Sequence, residues 1–176
     1  MPWKRWLQLS VAVSAAAVIF GSTLRAADEV SGLITRTYTI VEHTDLTGDV
    51  VCDVANNTPC FAFGASNVQL RLNGFTISGK ADPTIGCGGT LIGGENGVAT
   101  GGQRNVAVRG PGLIQRFRTH GIAVLASTDV RVQHVTASTN CGSGVFIAAN
   151  SFGTLVEGIV SVRNGSTNTG ASCGGI

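Results

Sequence analysis

The dipeptide Gly-(Val/Ile) recurs at Gly97-Val98, Gly121-Ile122, Gly144-Val145 and Gly175-Ile176, with steps of 24, 23 and 31 residues. A second track runs in phase with it: Leu70-x-Leu72, Val106-x-Val108, Val130-x-Val132 and Thr154-x-Val156, separated by 36, 24 and 24 residues. Two short apolar strands repeating together about every 24 residues imply a solenoid, in which each coil buries its face only against its neighbours. The expected class is all-β, with about four coils over residues 62–176. Such an architecture hosts both enzymes and inert scaffolds, so chemistry has to be sought in particular side chains.

The first 26 residues are set apart. Lys4 and Arg5 precede an apolar run from Leu7 to Phe20, followed by Gly21-Ser22-Thr23-Leu24-Arg25-Ala26-Ala27. This is the layout of a secretory signal peptide, with cleavage expected after Ala26. The run is short for a membrane span, and no other stretch is apolar enough for one. The whole chain has 12 basic and 10 acidic residues. Loss of Lys4, Arg5 and Arg25 leaves a mature net charge of −1, and nothing in that balance points to nucleic acid. The expected location is outside the cytoplasm: secreted, periplasmic or at the cell surface.

Export makes disulfides plausible for the five cysteines, Cys52, Cys60, Cys87, Cys141 and Cys173. Cys52 and Cys60 bracket a loop with Asn56-Asn57 and Pro59, which a bond would close. Cys141 and Cys173 stand three and two residues before a Gly-(Val/Ile) pair, so a Cys141–Cys173 bond between successive coils is expected. Cys87 is then left over. No cysteine pair or nearby histidine has zinc spacing, and no metal or other cofactor is expected.

Residues 32–52 alternate in polarity and suggest two short strands, Leu33–Val41 and Thr47–Cys52, which place an N-terminal cap or irregular first coil at 27–61. In the coils, Leu72, Val108, Val132 and Val156 align as an inward column. Gly74, Gly110, His134 and Gly158 align at a bend where positive φ is expected. The outward columns then read Arg71/Ala107/Arg131/Leu155 and Asn73/Arg109/Gln133/Glu157. Extra residues between Lys80 and Gln103, and again over Ser166–Ser172, are loops thrown out from the coil. Because the chain stops at Ile176 with a coil just begun, the sequence reads as the front part of a longer solenoid.

The segment Asn67-Val68-Gln69-Leu70-Arg71-Leu72-Asn73-Gly74-Phe75-Thr76-Ile77-Ser78-Gly79, with later coils of the type His120-Gly121-Ile122, resembles secreted bacterial right-handed parallel β-helix repeat proteins of the pectate-lyase-like superfamily. The resemblance covers roughly residues 45–176. It implies a three-sheeted right-handed parallel β-helix in an exported protein, often with a carbohydrate-related or unassigned role. Accessory proteins of periplasmic copper enzymes share this fold, but the one methionine and the scattered histidines give copper no local support.

Hydrolysis would need two carboxylates about 5–9.5 Å apart. In the regular coils Asp129 and Glu157 come nearest, yet four positions along a strand at about 3.3 Å each separate them by some ~13 Å. A lyase would want acids holding calcium near a basic residue. Asp45, Asp49 and Asp53 lie in the cap at a spacing that does not converge. The glycines of 86–102 lack the Lys-Ser/Thr of a phosphate loop, and no serine occupies a nucleophile elbow. His134, at the bend between Gly110 and Gly158, is either a residue that tolerates the left-handed region or a ligand contact. The reading that remains is a non-catalytic module binding an acidic polysaccharide, or a surface scaffold. Its expected site is the outward face carrying Arg71, Arg109, Arg131, Gln133, His134 and Glu157, since arginine grips carboxylates bidentately. The alternative is a polysaccharide lyase or glycoside hydrolase whose catalytic residues lie C-terminal to Ile176. Oligomeric state is not legible.

Overall fold

The computed structural model describes residues 26–81, 87, 94–165 and 175–176. The signal peptide expected over residues 1–26 lies outside the described residues except for Ala26, as do most residues of the two expected loops. The described residues are all-β and contain no helix. Their strands are short, and every pairing between them is parallel.

The strands stack in three rows. The first row is β2 (Tyr38–Ile40), β4 (Phe61–Phe63), β7 (Val98–Ala99), β10 (Ile122–Val124) and β13 (Val145–Ile147), a five-stranded sheet. The second row is β5 (Gln69–Arg71), β8 (Ala107–Arg109), β11 (Arg131–Gln133) and β14 (Leu155–Glu157). The third is β6 (Thr76–Ser78), β9 (Leu113–Gln115), β12 (Thr136–Ser138) and β15 (Val160–Val162). One long strand, β3 (Thr44–Cys52), joins the second and third rows into a ten-stranded sheet, pairing through Thr44-Asp45 with β5 and through Val50-Val51 with β6. β1 (Asp28–Ile34) lies on the far side of β3.

The reason for this arrangement is the alternation within each three-residue strand. Leu70, Val108 and Val132 from the second row, Ile77 and Ile114 from the third, and Phe61, Val98 and Ile122 from the first all fall into one buried cluster. β-Branched residues dominate because they suit a pleated surface buried in parallel pairing. The curled, parallel, three-row layout around one core is compatible with a β-helix.

The corners explain much of the composition. Asn67 (φ 63°), Asn105 (φ 50°) and Asp129 (φ 55°) enter the second row in the left-handed region, His134 (φ 56°) leaves it, and Arg116, Thr139 and Arg163 leave the third row with φ of 62°, 52° and 53°. Asn, Asp and His accept that region most readily among residues with a side chain. The repeated glycines answer a different need. A Cβ on Gly121 would stand 2.7 Å from the Gly144 carbonyl oxygen and 2.8 Å from the Asn140 amide nitrogen, so Gly121 marks a close approach of neighbouring rungs.

Several sequence expectations change here. The 24-residue step correctly aligns Val108, Val132 and Val156. The first step is offset by two residues: Leu70, not Leu72, opposes Val108, and Arg71 opposes Arg109. Leu70 and Leu72 are both fully buried, so an apolar pattern of period two fits either alignment, and only the ladder hydrogen bonds decide. The outward columns are therefore Gln69/Ala107/Arg131/Leu155 and Asp45/Arg71/Arg109/Gln133/Glu157. Gly74 and Gly158 have positive φ at the bend, but Gly110 does not; its constraint is the His134 carbonyl, against which a Cβ would collide. Within residues 27–61, expected as a cap or irregular first coil, β2 and β3 pair directly with the sheets that follow, and β1 pairs with β3.

Cys52 and Cys60 are bonded as expected. The bond expected between Cys141 and Cys173 is replaced by Cys87–Cys141, with Cα atoms 5.8 Å apart; Cys173 itself lies outside the described residues. The coil alignment that suggested the other pairing holds, since the Val145 N–H donates to the Gly175 carbonyl at 3.3 Å. Cys141 instead sits at a corner stacked through Phe117, where the excursion after Lys80 brings Cys87 into a small buried cluster with Ala81 and Cys141.

Candidate functional site: an arginine-lined cleft

The outward face of the second row is built by parallel stacking, which sets side chains from successive rungs about 4.8 Å apart. Asp45, Arg71, Arg109, Gln133 and Glu157 form one continuous column. The column divides itself by pairing. Arg71 is bonded to Asp45 through Nε–Oδ1 and through Nη2–Oδ2, the latter at 2.6 Å. At the other end, Gln133 Nε2 donates to Glu157 Oε2 at 2.9 Å. Arg109 stands between these two pairs. It is half-buried, and its Nε lies out of contact with water and without a hydrogen-bond partner.

Beside it runs the column Gln69/Ala107/Arg131/Leu155. Ala107 is the short member, and its missing bulk opens a cleft of about 140 Å³. Arg109, Arg131, Gln69, Asn67, Asn105 and His43 are among the residues that line it. Asn105 Nδ2 donates to Asn67 Oδ1 at 3.0 Å, so the corner asparagines lock one another across the rung. None of the described lining residues is acidic. Chemically, the cleft offers two guanidinium groups, amide donors and acceptors, and no carboxylate to act as acid or base. Such a lining can hold an anion.

Of the six residues expected at the site, only Arg109 and Arg131 line this cleft. Arg71 is held by Asp45, and Gln133 and Glu157 hold each other. His134 lies at the corner, exposed, with its ring over Gly158, where a Cβ would collide with Nδ1. Its place is explained by its backbone conformation. The two acids weighed as a hydrolytic pair part in the same way: Asp129 stands at a corner before β11, and Glu157 is the last residue of β14. The three aspartates weighed for calcium have separate partners. Asp45 takes Arg71, Asp49 Oδ1 accepts the Thr76 N–H at 2.8 Å, and Asp53 pairs with Lys80. Among the described residues no three His, Cys, Asp or Glu side chains are grouped for a metal.

Two features escaped the sequence reading. Glu95, inside the glycine-rich stretch, is 5% exposed, with Oε1 3.9 Å from Arg118 Nε and Oε2 unpartnered. Burial pushes its carboxyl above the ordinary range, against the pull of Arg118 and Lys80. His120 stacks on Phe146, with ring centroids 4.3 Å apart and planes 6° from parallel. Neither has a local signature, because each depends on residues brought together across a rung. Set against protein families, curated proteins and solved structures, the chain matches none of them.

Proposed function

We propose that this chain is an exported right-handed parallel β-helix module, of the pectate-lyase-like type, that binds an acidic polysaccharide without cleaving it. The observation that carries the proposal is the pair Arg109 and Arg131, which flank the gap left by Ala107 while their neighbour Arg71 is neutralised by Asp45. A sugar carboxylate entering the gap meets two guanidinium groups that no acidic residue among the described ones pairs with, and bidentate contacts to carboxylate are what arginine does best. The lack of an acid in the described cleft lining favours binding over hydrolysis or elimination. Two disulfides suit an oxidising compartment outside the cytoplasm, where such polymers occur. The test is retention of the mature protein on immobilised polygalacturonate. Retention that salt elutes supports the reading; passage through the column in low salt overturns it. Appearance of unsaturated or reducing ends in the eluate would replace it with an enzymatic one.

A further inference from the structure

The guanidinium groups that line the cleft lie towards one end of it. One column of its lining runs His43, Gln69, Ala107 and Arg131 on four successive rungs, since Gln69 and Arg131 both oppose Ala107 and His43 directly precedes the Thr44–Leu70 pair. Gln69 and Arg131 therefore stand two rungs apart, about 10 Å, with the Ala107 gap between them. The neighbouring column repeats the asymmetry. Arg109 shares the strand of Ala107, and its Nε is buried and unpartnered. Arg71 shares the strand of Gln69 and stands where a third cation would complete the row. Both oxygens of the Asp45 carboxylate are bonded to it instead, through Nε and Nη2.

These rungs are interior to the sheet, with described strands on both sides. The Asp45–Arg71 pair is partly exposed and holds no core together. What it changes is the field. Arg71 opposes Arg109 on the next strand, two like charges on adjacent rungs, and Asp45 cancels one of them. Because four rungs contribute to the lining, a chain bound along the cleft runs with the coil axis, and an extended glycan advances by roughly one rung per sugar. A carboxylate beside Arg109 and Arg131 gains two cations. A second carboxylate one sugar nearer His43 arrives at the rung of Gln69. There it gives up water, finds no free guanidinium, and lies near the Asp45 carboxylate. The hydroxyls of an uncharged sugar meet the same amide without that cost.

Given the glycan-binding role proposed for the cleft, we propose that Asp45 is its specificity-determining residue. By occupying Arg71 it makes the cleft select a uronate whose neighbour is uncharged. The preferred ligand is then a mixed polymer of uronates and uncharged sugars. An unbroken polyuronate still binds through one carboxylate, but less well for each carboxylate it offers.

The test is calorimetric titration of the mature protein with three hexamers of one 1,4-galacturonan backbone: all carboxylates free, a single internal carboxylate free with the others methyl-esterified, and all esterified. Per free carboxylate, the singly charged hexamer should bind the wild type at least about threefold more tightly than the fully charged one at low salt, and the fully esterified hexamer should bind more weakly than either. Asp45→Asn, which keeps the size of the side chain and releases Arg71, should strengthen binding of the fully charged hexamer and bring the ratio to about one. Arg71→Ala should keep the ratio. Thermal melts establish that both variants are folded, and a merely structural role for Asp45 would lower both affinities together with the ratio intact. A wild-type ratio of one, or a ratio that Asp45→Asn leaves unchanged, overturns the proposal while the cleft still binds acidic sugars. Absence of binding to either charged hexamer overturns the binding role of the cleft as well, so the two failures are distinguishable.

Discussion

Arg71 and Asp45 face each other on neighbouring strands, with Nε and Nη2 of the guanidinium donating to the two carboxylate oxygens, and that pairing removes Arg71 from the cation count of the second-row face. With side chains 41% and 22% exposed, the pair contributes little to stability, about 1 kcal/mol or less. Its consequence lies in binding. Arg71→Ala should leave retention on polygalacturonate unchanged, whereas Asp45→Ala, which frees Arg71, should strengthen it. A loss of binding in Arg71→Ala as large as in Arg109→Ala would contradict this division of the column.

The central column tolerates no charge. Val108 and Val132 are fully buried, and either replaced by Asp places an unpaired carboxylate in the shared core. Val108→Asp should cost more than about 4 kcal/mol and prevent folding of the mature protein. Val156→Asp, at a half-buried position of the same column, should be markedly milder. Far-ultraviolet circular dichroism and thermal melts of the two variants make the comparison.

Two glycines should respond unequally to the same change. Gly121→Ala forces contacts of 2.7 and 2.8 Å on the next rung and should cost about 2 kcal/mol or more. Gly74→Ala meets nothing within 4 Å, and only its φ of 89° opposes the substitution, for about 1 kcal/mol. Chemical denaturation should rank them in that order.

The two disulfides close loops of very different length, 8 residues for Cys52–Cys60 and 54 for Cys87–Cys141. On chain entropy, Cys87→Ser should cost about 4 kcal/mol and Cys52→Ser about 2.5 kcal/mol. Mapping of non-reduced peptides should recover these two pairings, and a Cys141–Cys173 peptide would contradict the fold around the corner at Phe117.

The folded state holds His120 neutral, with its pKa lowered from 6.5 to about 4 by desolvation. Above pH 6.5 this residue contributes no slope. As pH falls from 6.5 towards 4 the unfolded chain takes up the proton first, and stability drops by up to about 3 kcal/mol, levelling below pH 4. His120→Asn should remove that component, seen as a flatter dependence of denaturation free energy on pH.

How much of this was legible in the sequence follows from the range of each interaction. The rungs at Val108, Val132 and Val156 and at Val98, Ile122 and Val145 were readable, because strict spacing and period-two burial leave a trace in the residues themselves. The offset at Leu70 was not, since two buried leucines two apart carry the same pattern. Nor was the Asp45–Arg71 pair, whose members lie 26 residues apart in a stretch without the later repeat. Arg109 and Arg131 were foreseen as outward cations. The cleft between them depends on the smallness of Ala107 and on which strand Arg71 faces, and both required the true alignment.

The most direct measurement is calorimetric titration of the mature protein with oligogalacturonate over a range of salt, for the wild type and for Arg109→Ala/Arg131→Ala. The account predicts measurable affinity at low salt that weakens as screening increases, and at least about a tenfold loss in the double variant at low salt. Affinity equal in the two proteins, or binding insensitive to salt, would contradict it.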